Sequence, residues 1–212
     1  MKRYISRRVT VLSLLSVSIL PNFLFTSLVR SENKLFSNYK IGNKNAKIKV
    51  KEFFSLTCGH CKNFHLKTFP ILKKEAIDTG IIEFEFVDYP LDKLAMLATT
   101  LVRSINVESY LDAINILFRK QENWVFSNSQ VEELYEIGKI FGVSKNKFDQ
   151  IIENYDLMQK ILNNMEKESK KFDIASTPTF VINEKYKITG NISYEQFKEK
   201  ILQYTKLKIE NG

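Results

Sequence analysis

Two cysteines occur in this sequence, three residues apart in Cys58-Gly59-His60-Cys61, directly after the apolar run Ile48-Lys49-Val50-Lys51-Glu52-Phe53-Phe54. Where a strand hands over to a helix, such spacing puts Cys58 at the helix N-terminus and Cys61 one turn in. Residues i and i+3 of a helical turn lie about 5 Å apart, inside the roughly 4.4 to 6.8 Å range that a disulfide spans. The pair can open and close with little backbone movement. Unpaired backbone N–H groups and the positive end of the helix dipole favour thiolate at Cys58, and thiolate is the form that attacks disulfides. His60 lies beside the sulfurs, where a ring N–H or an imidazolium could stabilise that thiolate. Glu52 interrupts the apolar strand six residues before Cys58. If buried, it is placed to accept the Cys61 proton during exchange; the alternative is that it points to solvent between Lys51 and Phe53.

The histidines admit a second chemistry. Cys58, Cys61 and His65 at i, i+3 and i+7 could share a helix face and bind zinc or copper(I), although the spacing is not that of a known structural site. A third reading is a redox-silent peptide-binding chaperone, against which the intact C-x-x-C argues. Neither a metal nor another cofactor is expected.

The chain of 212 residues is 44% hydrophobic and 26% charged, the make-up of a folded protein with one domain and an insertion. Lys2, Arg3, Arg7 and Arg8 precede an apolar stretch from Val9 to Val29. Residues 1–31 therefore read as an export signal or a retained N-terminal membrane anchor. Removing five cations (these four and Arg30) from the net +8 leaves +3, too mild to argue for a nucleic-acid partner. Export places the thiols where disulfides persist. With no other cysteine available, the one intramolecular disulfide closes a loop too short to stabilise much, so its purpose is chemistry.

Periodicity supplies the elements that must hold these residues. Ala46 to Phe54 reads as a strand. A helix from about Gly59 to Ile77 follows, kinked at Pro70 and leaving at Gly80. Ile81 to Asp88 reads as a second strand. From Asp92 to Phe172 helical patterns dominate. Leu94, Leu97, Leu101 and Ile105 form one face, and Tyr110, Ile114, Leu117 and Phe118 another. Ser129-Gln130-Val131-Glu132 looks like a capping box for a helix closing at Gly142. Further helices are expected at Lys145 to Glu153 and Leu157 to Lys171. Thr179 to Asn183 and Lys185 to Thr189 read as strands joined by a tight turn, and Ser193 to Tyr204 as a terminal helix. Residues 38–91 and 173–207 thus form two parts of one α/β unit, with a helical insertion at 92–172.

That order, with a C-x-x-C at the first helix, is the thioredoxin fold carrying a helical insertion of about eighty residues. The residues Ile41-Gly42-Asn43, Val50 through Cys61, Phe64-His65, Leu117 through Trp124, and Ser176-Thr177-Pro178-Thr179-Phe180-Val181-Ile182-Asn183 resemble the DsbA-like thiol-disulfide oxidoreductases of bacterial cell envelopes. The resemblance implies a cis-proline at Pro178 facing the cysteines, substrate docking along Thr177, and a glutamate at the position of Glu52. It also implies reduced, extended exported polypeptides as substrates, a DsbB-like membrane reoxidant and a monomeric, periplasmic protein. Gly59 stands where the oxidases usually carry proline, and Thr177 is frequent in the isomerase branch, so oxidase is favoured over isomerase or reductase without being settled.

Overall fold

The computed structural model describes residues 37–207 and 209; the expected signal or anchor at 1–31 lies outside them. Among the described residues no helix is long and apolar enough to cross a membrane. Five strands, β1 (Tyr39–Gly42), β2 (Ile48–Phe54), β3 (Ile82–Asp88), β4 (Thr179–Ile182) and β5 (Tyr186–Thr189), form one sheet in the order β1-β3-β2-β4-β5. Only β2 and β3 run parallel in this sheet, so the chain between them must cross over, and it does so as a helix. This helix, α1, runs over residues 59–77. It is α-helical at Gly59–Asn63 and Phe69–Leu72, and π-helical at Phe64–Thr68 and Lys73–Ile77. The first π turn stands immediately before Pro70, which has no N–H to continue the regular bonding pattern.

Strand β1 is the element that periodicity misses. It is four residues long and alternately half-buried and exposed, too weak a pattern to read alone. Its end is fixed by Gly42 at φ +90, where a Cβ would lie 2.3 Å from the Ile82 carbonyl oxygen. At the other edge, Asn183 and Glu184 at φ 48 and 56 are the central residues of the tight turn between β4 and β5, closed by the Lys185 N–H to the Ile182 carbonyl at 3.0 Å.

Between β3 and β4 come α2 (Lys93–Ser104), α3 (Tyr110–Arg119), α4 (Gln121–Val125), α5 (Gln130–Ile140), α6 (Lys145–Ile152) and α7 (Tyr155–Phe172), with α8 (Tyr194–Thr205) closing the described chain. The two apolar faces expected in this block are the buried seams of α2 and α3, although Leu94 and Leu97 are only partly covered. The capping box expected at Ser129 is not made: Ser129 precedes α5 without a side-chain bond to it. A reciprocal box forms instead at Ser193 and Gln196, opening α8. The same four-residue pattern scores both sites; only at Ser193 does the backbone take the extended conformation that a cap needs.

Alternation along β2 sends Ile48, Val50, Glu52 and Phe54 to one face of the sheet and Lys49, Lys51 and Phe53 to the other. The first face meets α1, α8 and the inserted helices in a large core that includes Phe64, Phe84, Phe86, Phe118, Trp124 and Phe180. The second carries a small cluster of Phe53, Val87, Ile174 and Val181, with Phe172 of α7 packed on it.

Candidate active site

Cys58 is the N-cap of α1, in extended backbone conformation, and its sulfur accepts the Cys61 N–H at 3.3 Å. The first turn of the helix therefore directs a donor at the sulfur, as a capping oxygen would receive it. The Cys58 pKa falls to about 6. The foremost cause is a hydrogen bond from the Cys61 thiol; burial opposes it, and the Thr177 side chain and the N–H groups of Cys61 and His60 add to it. Cys61 is wholly buried, and its thiol is pushed far up, first by burial, then by its bond to Cys58 and by the nearby charge of Glu52. The two thiols are thus driven apart, one toward thiolate and one toward the protonated form.

The Thr177–Pro178 peptide is cis, and Pro178 is buried at the start of β4. In the dithiol, Cys58 Sγ donates to the Thr177 carbonyl at 3.4 Å, while the Thr177 hydroxyl is buried with no partner. A Cys58 thiolate has no proton for that carbonyl but can accept from that hydroxyl. His60 is exposed, and what it contributes at the sulfur is its backbone N–H. That is a different contact from the ring interaction expected. Gly59 is exposed and faces open space, so a side chain would fit there.

Glu52 does not point to solvent. It is fully buried on the large-core face, and its two carboxylate oxygens lie 3.1 and 3.0 Å from His65 Nε2. One ring nitrogen cannot serve both well, and Oε2 is left without a hydrogen bond of its own. His65, on the first π turn, is stacked on Phe118 at 4.5 Å and ringed by Phe54, Phe64 and Phe69 within 5.6 Å. His65, weighed as a third ligand beside the two cysteines, turns to Glu52, and among the described residues no three His, Cys, Asp or Glu side chains converge.

Sequence reasoning missed the residues that pin the cysteine loop to the insertion. Gln121, buried at the start of α4, donates through Nε2 to the carbonyls of Leu56 at 2.8 Å and Cys58 at 3.1 Å. Thr57 Oγ1 donates to Asp92, the N-cap of α2, at 2.8 Å, and Lys62 pairs with Glu122 at 2.6 Å. Spacing gives no sign of bonds that reach 35 to 65 residues along the chain. Gln121 stood only within the stretch quoted for the family resemblance.

A family profile described as thioredoxin matches residues 37–203. Among curated relatives, a putative protein-disulfide oxidoreductase of Rickettsia conorii is 31% identical over 175 residues, covering 81% of this chain and 62% of its own. Disulfide bond formation protein D of Bacillus subtilis is 31% identical over 172 residues, covering 76% of this chain and 74% of its own. The chain spans 53% of a Rickettsia typhi relative, 32% identical, and so only about half to two thirds of the rickettsial proteins it matches. In structure it is similar to alpha-DsbA1 of Wolbachia pipientis, with a TM-score of 0.71 at 28% identity over 78% of this chain and 89% of that one. BdbD of Bacillus subtilis superposes with a TM-score of 0.65 at 27% identity, over 80% and 94%. A capping cysteine, a buried partner thiol, a proline strand entry and these matches over most of the described residues converge: the chain belongs to the thioredoxin family, and within it is similar to DsbA-like proteins.

Proposed function

We propose that the protein works in the cell envelope as a thiol-disulfide oxidoreductase, donating a Cys58–Cys61 disulfide to reduced, extended exported polypeptides. The observation that carries this reading is the opposed pair of thiols, with Cys58 lowered to about 6 beside a wholly buried Cys61 held protonated. A substrate thiolate attacks Cys58 Sγ; the S–S bond breaks, and Cys61 leaves and takes up a proton. A second substrate thiolate then attacks the substrate sulfur of the mixed disulfide. Cys58 departs as a thiolate, for which a low pKa makes it a good leaving group. Two electrons have passed to the protein. Residues 1–31 would carry it to, or hold it in, the periplasm. Reoxidation would fall to a DsbB-like membrane protein, and the protein would act as a monomer.

In this reading Cys58 is the nucleophile and Cys61 the resolving thiol, with Glu52 exchanging the Cys61 proton. Thr177 and Pro178 dock the substrate strand by β-augmentation, Gly59 leaves room above the sulfurs, and His60 flanks them. The boundaries at 92 and 172 divide the redox unit from a helical cover. Thr177, a residue frequent before this proline in the isomerase branch that the sequence resembles, favours an isomerase or reductase as the second reading.

The reduction potential against glutathione, measured with the rate of oxidation of a reduced two-cysteine peptide, tests the assignment. An oxidase should be clearly more oxidising than about −270 mV, the thioredoxin value. A potential at or below it, with slow peptide oxidation, assigns a reductase.

A further inference from the structure

Each turnover in the cycle proposed above moves a proton to or from Cys61, which is 0% exposed, and the adjoining acid Glu52 is 0% exposed as well. That proton needs a route. Glu52 hydrogen-bonds His65, at 3.1 and 3.0 Å from its two oxygens, and His65 lines a surface cleft of about 280 Å³ between α1 and α3. Phe69, Leu111 and Ile114 form the apolar part of the cleft, and Lys73, Asp112 and Arg119 its charged part. We infer that His65 is a proton-relay residue joining Glu52, and through it the buried Cys61, to water in this cleft.

The balance of one half-cycle is simple. Attack on Cys58 leaves Cys61 as a thiolate. His65 passes its ring proton to the Glu52 carboxylate, the S–H bond forms as that new O–H bond breaks, and the ring recovers its proton from cleft water. During reoxidation the same steps run backwards. This inference rests on the disulfide-exchange reading, since without a Cys61 proton to move the route has no task.

The other buried acids among the described residues are held by permanent cations: Asp88 by Arg103 at 2.6 Å, Glu85 by Lys40 at 2.9 Å and Lys51 at 3.1 Å, and Glu168 by Lys51 at 2.9 Å. Glu52 alone of these four meets a side chain that can both give and take a proton near neutrality. The groups facing the pair are Cys61 on α1, Tyr110 and Asp112 on α3, and Lys73 and Arg119 at the cleft. The two cations are engaged elsewhere, Lys73 with Asp78 at 2.7 Å and Arg119 with Asn115 at 3.0 Å. Aromatic rings around the imidazole keep the inner part of the route dry.

The test compares two rates in the intact protein from pH 5 to 8. One is mixed-disulfide formation at Cys58 in a Cys61→Ser background, which moves no Cys61 proton. The other is reduction of the Cys58–Cys61 disulfide by dithiothreitol, which does. His65→Gln can keep a hydrogen bond to Glu52 but cannot carry a proton. It should slow the second rate roughly 10- to 100-fold at pH 7, at the low end of what a positioned acid–base group contributes, while leaving the first unchanged. His65→Ala should be slowed likewise and recover when free imidazole is added, the cleft giving it access. A second rate in His65→Gln that matches the unmodified protein across the pH range overturns the relay. So does a pH-independent loss, or a folded His65→Ala that imidazole does not rescue; should His65→Ala not fold, the His65→Gln profile decides alone. If the unmodified protein forms no mixed disulfide at Cys58, the exchange reading itself fails, which is a separate result.

Discussion

Lys51 and Glu52 are neighbours in β2, yet they belong to two charge systems on opposite faces of the sheet, built on different rules. On the face covered by α7, Glu85 accepts from Lys40, Asn38 and Lys51, and Lys51 also reaches Glu168 at 2.9 Å. Burial works against ionising Glu85, but the bonds from Lys40 and Asn38 and the Lys51 charge outweigh it, and its pKa falls. Lys51 is raised in turn, against burial, by Glu168 and Glu85. On the other face Glu52 has a single titratable partner and an oxygen with no hydrogen bond. Closed pairing of the first kind fixes structure. Incomplete pairing of the second kind leaves a carboxylate oxygen open to a moving proton.

The sharpest way to break this contrast is to orphan a paired acid. Arg103→Met leaves Asp88 buried at the end of β3 with only the Tyr110 hydroxyl, at 3.3 Å, and should cost about 3 kcal/mol in urea unfolding. Lys51→Met, in a half-screened network, should cost about 2 kcal/mol. Glu52→Gln should do the reverse. Removing an ill-satisfied buried charge should leave stability within about 1 kcal/mol of the unmodified protein or raise it, while dithiol–disulfide exchange slows. Equal losses from Lys51→Met and Glu52→Gln would erase the distinction.

Acid titration sharpens it further. Because the Glu85 pKa is depressed in the folded protein, its stabilisation is fully present above the ordinary carboxylate value of about 4.3 and is lost as pH falls through the lowered one. The urea midpoint of the unmodified protein should therefore drop more steeply below pH 4 than that of Lys51→Met. Cys58 adds a second window. Its thiolate contributes to the stability of the reduced protein fully above the ordinary thiol value of about 8.5, and the contribution falls away as pH drops through about 6. Reduced protein should outlast a Cys58→Ser variant by a margin that shrinks to nothing near pH 5. The smallest effect is expected from Thr177→Val, which removes the free hydroxyl beside the sulfur. Thiolate absorbance near 240 nm should then titrate at a slightly higher pH, with unfolding unchanged.

How much of this was readable follows from the range over which each signal acts. The C-x-x-C, the strand before it and the proline entry to β4 are local, and both the thioredoxin order and the cysteine pair were legible. Glu52 was legible as an anomaly in an apolar run, but its partner was not: thirteen residues separate it from His65, and they meet only because the π turn sets the ring against β2. His65 was accordingly weighed as a metal ligand rather than as a bonding partner for an acid. Gln121 escaped for a stronger reason, since its two acceptors lie 63 and 65 residues earlier and nothing in an amide's sequence neighbourhood announces a distant carbonyl. His60 is a third case: adjacency points to its ring, while the contact at the sulfur is its backbone N–H.

The alternation of charge along β2 has a further consequence, for folding. The strand pairs with β3 so that Lys51 stands beside Glu85 and Glu52 beside Phe86. A slip of one residue would turn every side chain to the opposite face. Lys51 would enter the aromatic core with no acid to meet it, and Glu52 would arrive among Glu85 and Glu168. Misthreaded sheets of this chain thus penalise themselves twice, once by a buried ammonium and once by crowded carboxylates, so the pair of residues that separates scaffold from chemistry also proofreads the alignment of the central strands.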